Sequence, residues 1–117
     1  MILLTTKQAV FTKNVALLLN FLCGQGYEVS LGECWRSPET AHTYAIEHKG
    51  IEHSLHCKRL AIDINLHDKD GKYLTDSKYY EVAGKYWQSL HVHNRWGGFF
   101  KSGCCKVDCS HFEMQDL

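Results

Sequence analysis

His56, Asp63 and His111 offer two imidazoles and one carboxylate, a donor set that suits zinc, and Asp108 stands three residues before the second histidine. Three protein ligands leave a fourth position open, where zinc lowers the pKa of a water toward ~7 and polarises a carbonyl. A nearby carboxylate then takes the water's proton, and Asp108 is the natural base. The chemistry predicted is hydrolysis. A plainer reading uses the same residues: surface or hydrogen-bonded histidines, with Asp63 as a buried acceptor.

These side chains need elements to hold them. Leu60-Ala61-Ile62-Asp63-Ile64-Asn65-Leu66 alternates strictly, placing Leu60, Ile62, Ile64 and Leu66 on one face of a strand and Ala61, Asp63 and Asn65 on the other. His56 precedes this strand. The last segment alternates again, Phe112 and Met114 facing one way and His111 and Glu113 the other. Both strands thus turn a polar face to the same constellation, and Ala61 leaves room beside Asp63.

Tyr27 to Leu31 reads as a further strand. Ser37 as N-cap, Pro38 at the first helical position and Glu39 in the first turn open a helix to about Lys49. Arg36 is therefore presented at a strand-to-helix junction. Ahead of these, Thr5-x-x-Gln8 reads as a capping box for a helix carrying Val10, Phe11, Val15, Leu18, Leu19 and Leu22, closed by Gly24 and Gly26. Asp68-Lys69-Asp70-Gly71 is a turn and Lys72 to Leu74 a return strand. Asp76 is expected to cap a helix to about His91 that buries Tyr80, Val82, Tyr86, Trp87 and Leu90, and Trp96-Gly97-Gly98-Phe99-Phe100 to form a tight turn.

The chain of 117 residues supports one domain, 1–117. Thirteen Lys and Arg balance thirteen Asp and Glu, and the pI is near 7.1, against the basic excess of a nucleic-acid binder. The longest apolar run, Val15 to Cys23, is broken by Asn20 and too short for a bilayer, so no membrane insertion is expected. Lys7 and Lys13 precede it, but Leu22-Cys23-Gly24-Gln25-Gly26 is a poor signal-peptidase site. The reading is a protein made in the cytoplasm with its six cysteines reduced.

Other groups of residues carry chemistry of their own. Cys104, Cys105, Cys109 and His111 could form a structural zinc cluster, although no C-x-x-C occurs. Cys34-Trp35 at a helix start could supply a nucleophilic thiolate, a buried inert thiol being the commoner case. His91-x-His93 fits a helix end and His53 a rim residue. Asp68, Asp70 and Asp76 could hold a cation but read as solvated turn acids. Of Tyr80, Tyr86, Trp87 and Trp96, only Trp96, beside two glycines, reads as a pocket residue.

Ser54-x-His56-x-x-Arg59-x-Ala61-x-Asp63 resembles the S-x-H-x-x-G-x-A-x-D motif of the zinc D-alanyl-D-alanine carboxypeptidase and L-alanyl-D-glutamate peptidase family. Asp108-x-x-His111 resembles its E-x-x-H motif in the aspartate form of some phage endolysins. Glu33-Cys34-Trp35-Arg36-Ser37-Pro38-Glu39 is similar to its "YRS-P-E" segment, and Trp96-Gly97-Gly98 followed by Asp108-x-x-His111-Phe112-Glu113 to its "WGG … D-x-x-HFE" ending. The motifs run in order from about Phe11 to Met114. Arg59 in place of glycine, and Cys34-Trp35 in place of "GY" or "SY", depart from the pattern at the pocket rim.

The resemblance implies an α+β fold, a small antiparallel sheet with about three helices packed beside it, shared with hedgehog-type and lysostaphin-type zinc domains. It implies that His56, Asp63 and His111 bind zinc, that Asp108 is the general base, and that Arg36 steadies the oxyanion or a substrate carboxylate. Ser54, Trp96 and Ser37 are the expected substrate-binding residues. The activity implied is hydrolysis of the peptide stem of peptidoglycan, as an L-alanyl-D-glutamate endopeptidase of the phage endolysin type. It would be monomeric, without a separate wall-binding module, and released to the wall by a holin. The alternatives are a D-alanyl-D-alanine carboxypeptidase or dipeptidase and, in another class, a non-catalytic zinc domain that binds the wall or a partner.

Overall fold

A strand with one apolar face needs a layer to cover it, and the alternation at 60–66 shows where that layer goes. The computed structural model describes residues 2–47, 54–100 and 107–117. In chain order it has helix α1 (Leu4–Gly24), strand β1 (Glu28–Leu31), helix α2 (Pro38–Ile46), strands β2 (Ala61–His67) and β3 (Tyr73–Leu74), helix α3 (Glu81–Leu90), and strands β4 (Asn94–Trp96) and β5 (His111–Met114). Three 3-10 turns, Leu55–Lys58, Ser77–Tyr79 and Gly97–Phe99, join them. The sheet runs β1-β2-β5-β4 with β3 also on β2, all pairs antiparallel. This is the expected α+β architecture.

Leu60, Ile62, Ile64 and Leu66 are all buried, and α1 and α3 close over them with Phe11, Leu18, Leu22, Ala83 and Trp87. Phe11 meets Trp87 edge-on at 5.6 Å between ring centroids, and Phe21 stacks on Tyr86 at 4.0 Å. The Trp87 indole N–H donates to the carbonyls of Glu113 (2.9 Å) and Arg95 (3.1 Å), which fixes α3 over the β4–β5 pair. Tyr80 ties two strands: its hydroxyl donates to the Leu74 carbonyl (2.6 Å) and accepts from the Leu66 N–H (3.1 Å).

Several boundaries differ from expectation for local reasons. α1 begins at Leu4, so Thr5 lies inside it and caps nothing, and the Gln8 amide instead donates to the Lys58 carbonyl at 2.8 Å. Asp76 caps the 3-10 turn at Ser77–Tyr79 by accepting from the Lys78 N–H, and α3 starts only at Glu81. Tyr80, Ala83, Gly84 and Trp87 then share the inner face, which leaves Val82 57% exposed rather than buried. Ala61 is fully buried despite its place on the polar face. Trp96 ends β4 and also caps the 3-10 turn Gly97–Phe99, which is the tight turn expected there. α2 ends at Ile46 with Glu47 as its C-cap, a little short of the expected end near Lys49, which itself lies outside the described residues.

Tyr80→Phe is expected to cost about 1–3 kcal/mol, because the buried Leu66 N–H loses its acceptor. Urea unfolding should show the lower midpoint with an unchanged slope.

Candidate metal centre

Residues 32–36 run on from β1 and clasp the two nearer members of the constellation. The Gly32 N–H donates to the Asp63 carbonyl (2.7 Å) and the Asp63 N–H to the Glu33 carbonyl (2.9 Å). The Arg36 N–H donates to the His56 carbonyl at 3.2 Å. His56 itself sits in the 3-10 turn Leu55–Lys58, capped by Ser54, whose hydroxyl oxygen accepts from the His56 N–H at 3.1 Å. On the other side, β5 pairs with β2 so that His111 stands directly opposite Asp63. The Asp108 carbonyl accepts from the His111 N–H (3.1 Å), and the Asp108 N–H donates to the Gly97 carbonyl (3.0 Å). Gly97 is needed there: a Cβ on it would lie 2.1 Å from the Asp108 carbonyl oxygen and 2.9 Å from the His111 Cβ.

Acceptors settle which ring nitrogens face inward. The Cys34 carbonyl, 3.2 Å from His56 Nδ1, can only accept, so Nδ1 carries the proton and Nε2 faces Asp63 Oδ1 at 3.5 Å. Glu113 Oε1 lies 2.7 Å from His111 Nε2, and the ionised carboxylate likewise accepts, which turns His111 Nδ1 to Asp63 Oδ1 at 3.4 Å. The Glu113 carboxyl is pushed up by burial but held below its ordinary range overall by His111 and Arg95. Arg95 Nε donates to Glu113 Oε2 at 2.8 Å, and its Nη2 is paired with the same oxygen.

His56, Asp63 and His111 each offer a ligand atom within 4.8 Å of the others, and among the described residues no other such group of His, Cys, Asp or Glu forms. Asp63 Oδ1 is buried without a well-formed hydrogen bond, with the two imidazole nitrogens at the outer edge of bonding range. A sealed carboxylate oxygen facing two nitrogens is what a cation would complete, so these residues fit a metal ion and could hold one. Burial raises the Asp63 carboxyl, but His111 and His56 outweigh it and hold it at about 2. Burial likewise lowers the His111 imidazole, yet its bonds to Asp63 and Glu113 raise it to about 9.

The remaining expected residues are placed as follows. The Asp108 carboxylate is exposed beside His111, accepts from the Ser110 hydroxyl (3.3 Å), and is not one of the grouped ligands. The Arg36 guanidinium pairs with Glu33 through Nε (2.8 Å) and Nη2 and lies over the Tyr44 ring at 5.0 Å. Ser54 is buried and its oxygen is committed to His56. The Ser37 hydroxyl oxygen accepts from the Thr40 N–H (3.0 Å) as the cap of α2.

Trp96 is a correction: it is 2% exposed and no pocket wall. Its indole is closed in between Gly84 and Gly98, where a Cβ would come within 2.1 Å of the ring, and its N–H donates to the Cys109 carbonyl at 2.7 Å. Of the two glycines that follow it, Gly98 serves that packing and Gly97 the approach of Asp108 and His111.

Cys34 meets His56 through its carbonyl, and Asp68 and Asp76 accept from backbone N–H groups of their own turns. His53, Cys104 and Cys105 lie outside the described residues. Sequence reasoning gave Glu113 a face but no role, and missed Glu33 and Arg95. The i, i+2 placement of His111 and Glu113 on one strand face was the available signal for the first.

No protein-family model and no curated protein matches the sequence. Among solved structures the chain is similar to the crystal structure of the L-Ala D-Glu endopeptidase ChiX of Serratia marcescens, with a TM-score of 0.71, covering 90% of this chain and 77% of that one at 19% identity. At that identity the likeness is one of fold. No helix among the described residues is long and apolar enough to cross a membrane.

Glu113→Ala is expected to weaken the binding of an added divalent cation to this group about 10- to 100-fold while Glu113→Gln keeps much of it, since the amide oxygen still accepts from His111. Competition against a chromogenic chelator measures both. In metal-free protein the raised His111 pKa contributes stability that is fully present below about 6.5 and lost as pH rises through about 9. The lowered Asp63 pKa contributes above 3.8 and is lost only as pH falls through about 2. The thermal midpoint of chelator-treated protein should therefore fall between pH 6.5 and 9, and a midpoint flat across that window would contradict the His111 environment described.

Proposed function

We propose that the protein is a zinc metallopeptidase that hydrolyses the peptide stem of bacterial peptidoglycan, at the L-alanyl-D-glutamate bond, in the manner of a phage endolysin. The observation that carries this reading is the buried, unpartnered Asp63 Oδ1 between His56 Nε2 and His111 Nδ1. The fold likeness to an L-Ala D-Glu endopeptidase supports the substrate class. The Asp108-x-x-His111 spacing, similar to that of some phage endolysins, supports the endolysin role, and release to the wall by a holin belongs to the same proposal.

His56, Asp63 and His111 hold the ion. Zinc supplies Lewis acidity and an acidified water in such a site. The chain's own residues do the rest. Asp108, exposed and anchored by its backbone to Gly97 and His111, has a carboxylate free to accept the water's proton and return it to the leaving amine. Arg36 is held beside His56 with its charge matched by Glu33, so it steadies a developing oxyanion or a substrate carboxylate by exchanging that partner. Glu113 and Cys34 keep the two imidazoles turned inward throughout.

Digestion of purified peptidoglycan with and without a zinc chelator, with the released ends identified by mass spectrometry and amino-terminal labelling, tests the reading. New D-glutamyl amino termini that vanish with chelator and return with zinc are expected. Released D-alanine would move the activity to the carboxypeptidase or dipeptidase branch, and no cleavage by zinc-loaded, folded protein would leave a non-catalytic binding domain. Asp108→Asn is expected to retain fold and metal while losing ~10²-fold or more in kcat. Full activity of that variant would remove Asp108 from the mechanism.

A further inference from the structure

We propose that Arg59 and Trp35 form a subsite on the rim of the metal centre that binds a carboxylate of the substrate, and this rests on the peptidoglycan reading above for the identity of that substrate. Arg59 has a left-handed backbone, φ 56° and ψ 38°, and among the described residues no other non-glycine has a positive φ. An L side chain is disfavoured there and glycine is not. Arg59 closes a 3-10 turn, where a left-handed residue is ordinary and glycine is the unstrained choice, so an arginine there is retained against a backbone cost that a task for its side chain would offset.

The surroundings are those of the metal centre. Arg59 ends the 3-10 turn that carries His56, and its N–H donates to the same His56 carbonyl (3.3 Å) that accepts from Arg36. Trp35 lies between Cys34, whose carbonyl meets His56 Nδ1, and Arg36. Both residues are thus fixed, through backbone bonds, to one metal-ligand candidate. The left-handed turn brings the Arg59 guanidinium over the Trp35 ring, 5.0 Å from its centroid, and the indole is 47% exposed.

Charge distinguishes Arg59 from the cations around it. Arg36 is paired with Glu33, Arg95 with Glu113, and Lys58 with Asp116. Arg59 is exposed and has no carboxylate partner among the described residues. A guanidinium held over an indole through its cation–π attraction still has N–H groups to offer in a planar fork, the geometry that receives a carboxylate through two parallel hydrogen bonds. The stacking also reduces the rotamer freedom the side chain must lose on binding. Peptidoglycan stem peptides carry such carboxylates, and the indole edge offers apolar surface to the chain beside them.

The test uses two synthetic stem peptides, alike except that every carboxyl group is free in one and amidated in the other. Their binding to the zinc-loaded full chain is measured by calorimetry for the wild type, Arg59→Gly, Arg59→Lys and Trp35→Leu. The wild type is expected to prefer the free-carboxyl peptide. Arg59→Gly is expected to lose about threefold to fivefold of that preference while binding the amidated peptide as the wild type does. Arg59→Lys keeps part of the preference, since the charge remains without the fork, and Trp35→Leu loses part of it. Because glycine is unstrained at this φ, Arg59→Gly should fold with an unchanged or raised thermal midpoint.

A free-to-amidated affinity ratio unchanged in Arg59→Gly, or a loss shared equally by both peptides, would overturn the subsite. Hydrolysis is followed separately. Cleavage without an Arg59-dependent preference overturns the subsite alone, whereas an Arg59-dependent preference without cleavage overturns the peptidase reading and supports the subsite.

Discussion

A carboxylate oxygen sealed from water between two imidazoles is the arrangement on which the rest of this structure turns. Burying an ionised carboxylate is costly unless charge and hydrogen bonds compensate it. Asp63 is held from two sides: the β1 extension bonds its N–H and carbonyl, and His111 faces it from β5 in direct register. Directly opposed residues of an antiparallel pair hold their Cβ atoms about 4.5–5.5 Å apart, which is the spacing two ligands of one ion need. A slip of one residue in β2 against β5 would turn Asp63 into the apolar layer and Ile62 or Ile64 out of it, so the same hydrophobic packing that builds the core also fixes the site.

Around that centre, acceptor groups set the orientation of each imidazole. Cys34 supplies a carbonyl and Glu113 a carboxylate, and neither can donate when Glu113 is ionised. Arg95 in turn neutralises Glu113, so the negative charge that directs His111 does not stand alone in a buried place. Glu33 does two things at once, pairing with Arg36 by its side chain and holding Asp63 by its carbonyl. These partners make the inward-facing nitrogens a property of the folded chain rather than of any bound ion.

The opposite layer keeps the frame rigid. Trp87 bridges carbonyls of β4 and β5 from α3, and Tyr80 joins β2 to the segment of β3, so the strands that carry Asp63 and His111 are braced from behind. Lys7 of α1 and Lys58 of the His56 turn share the half-buried Asp116, two ion pairs that tie the turn to the helix layer. Trp35, Arg59 and Asp108 lie outside this bracing and are exposed beside the centre.

The alternation at 60–66 and at 111–114 was enough to place Asp63 and His111 on polar strand faces, and the capping residues Ser37-Pro38-Glu39 were enough to place α2. Period-two and capping signals are local, and local signals are legible in a single chain. The roles of Glu113, Glu33 and Arg95 were not, because each depends on which strand lies beside which. Trp96 misled for the same reason: its neighbouring glycines suggested an open pocket, yet Gly98 makes room for a ring that packs against Gly84 of a helix ten and more residues away, and Gly97 makes room for Asp108. Only the tertiary structure decided that Arg59, left-handed where it closes its 3-10 turn, would lay its charge over Trp35, since the contact joins segments that nothing but the folded backbone brings together.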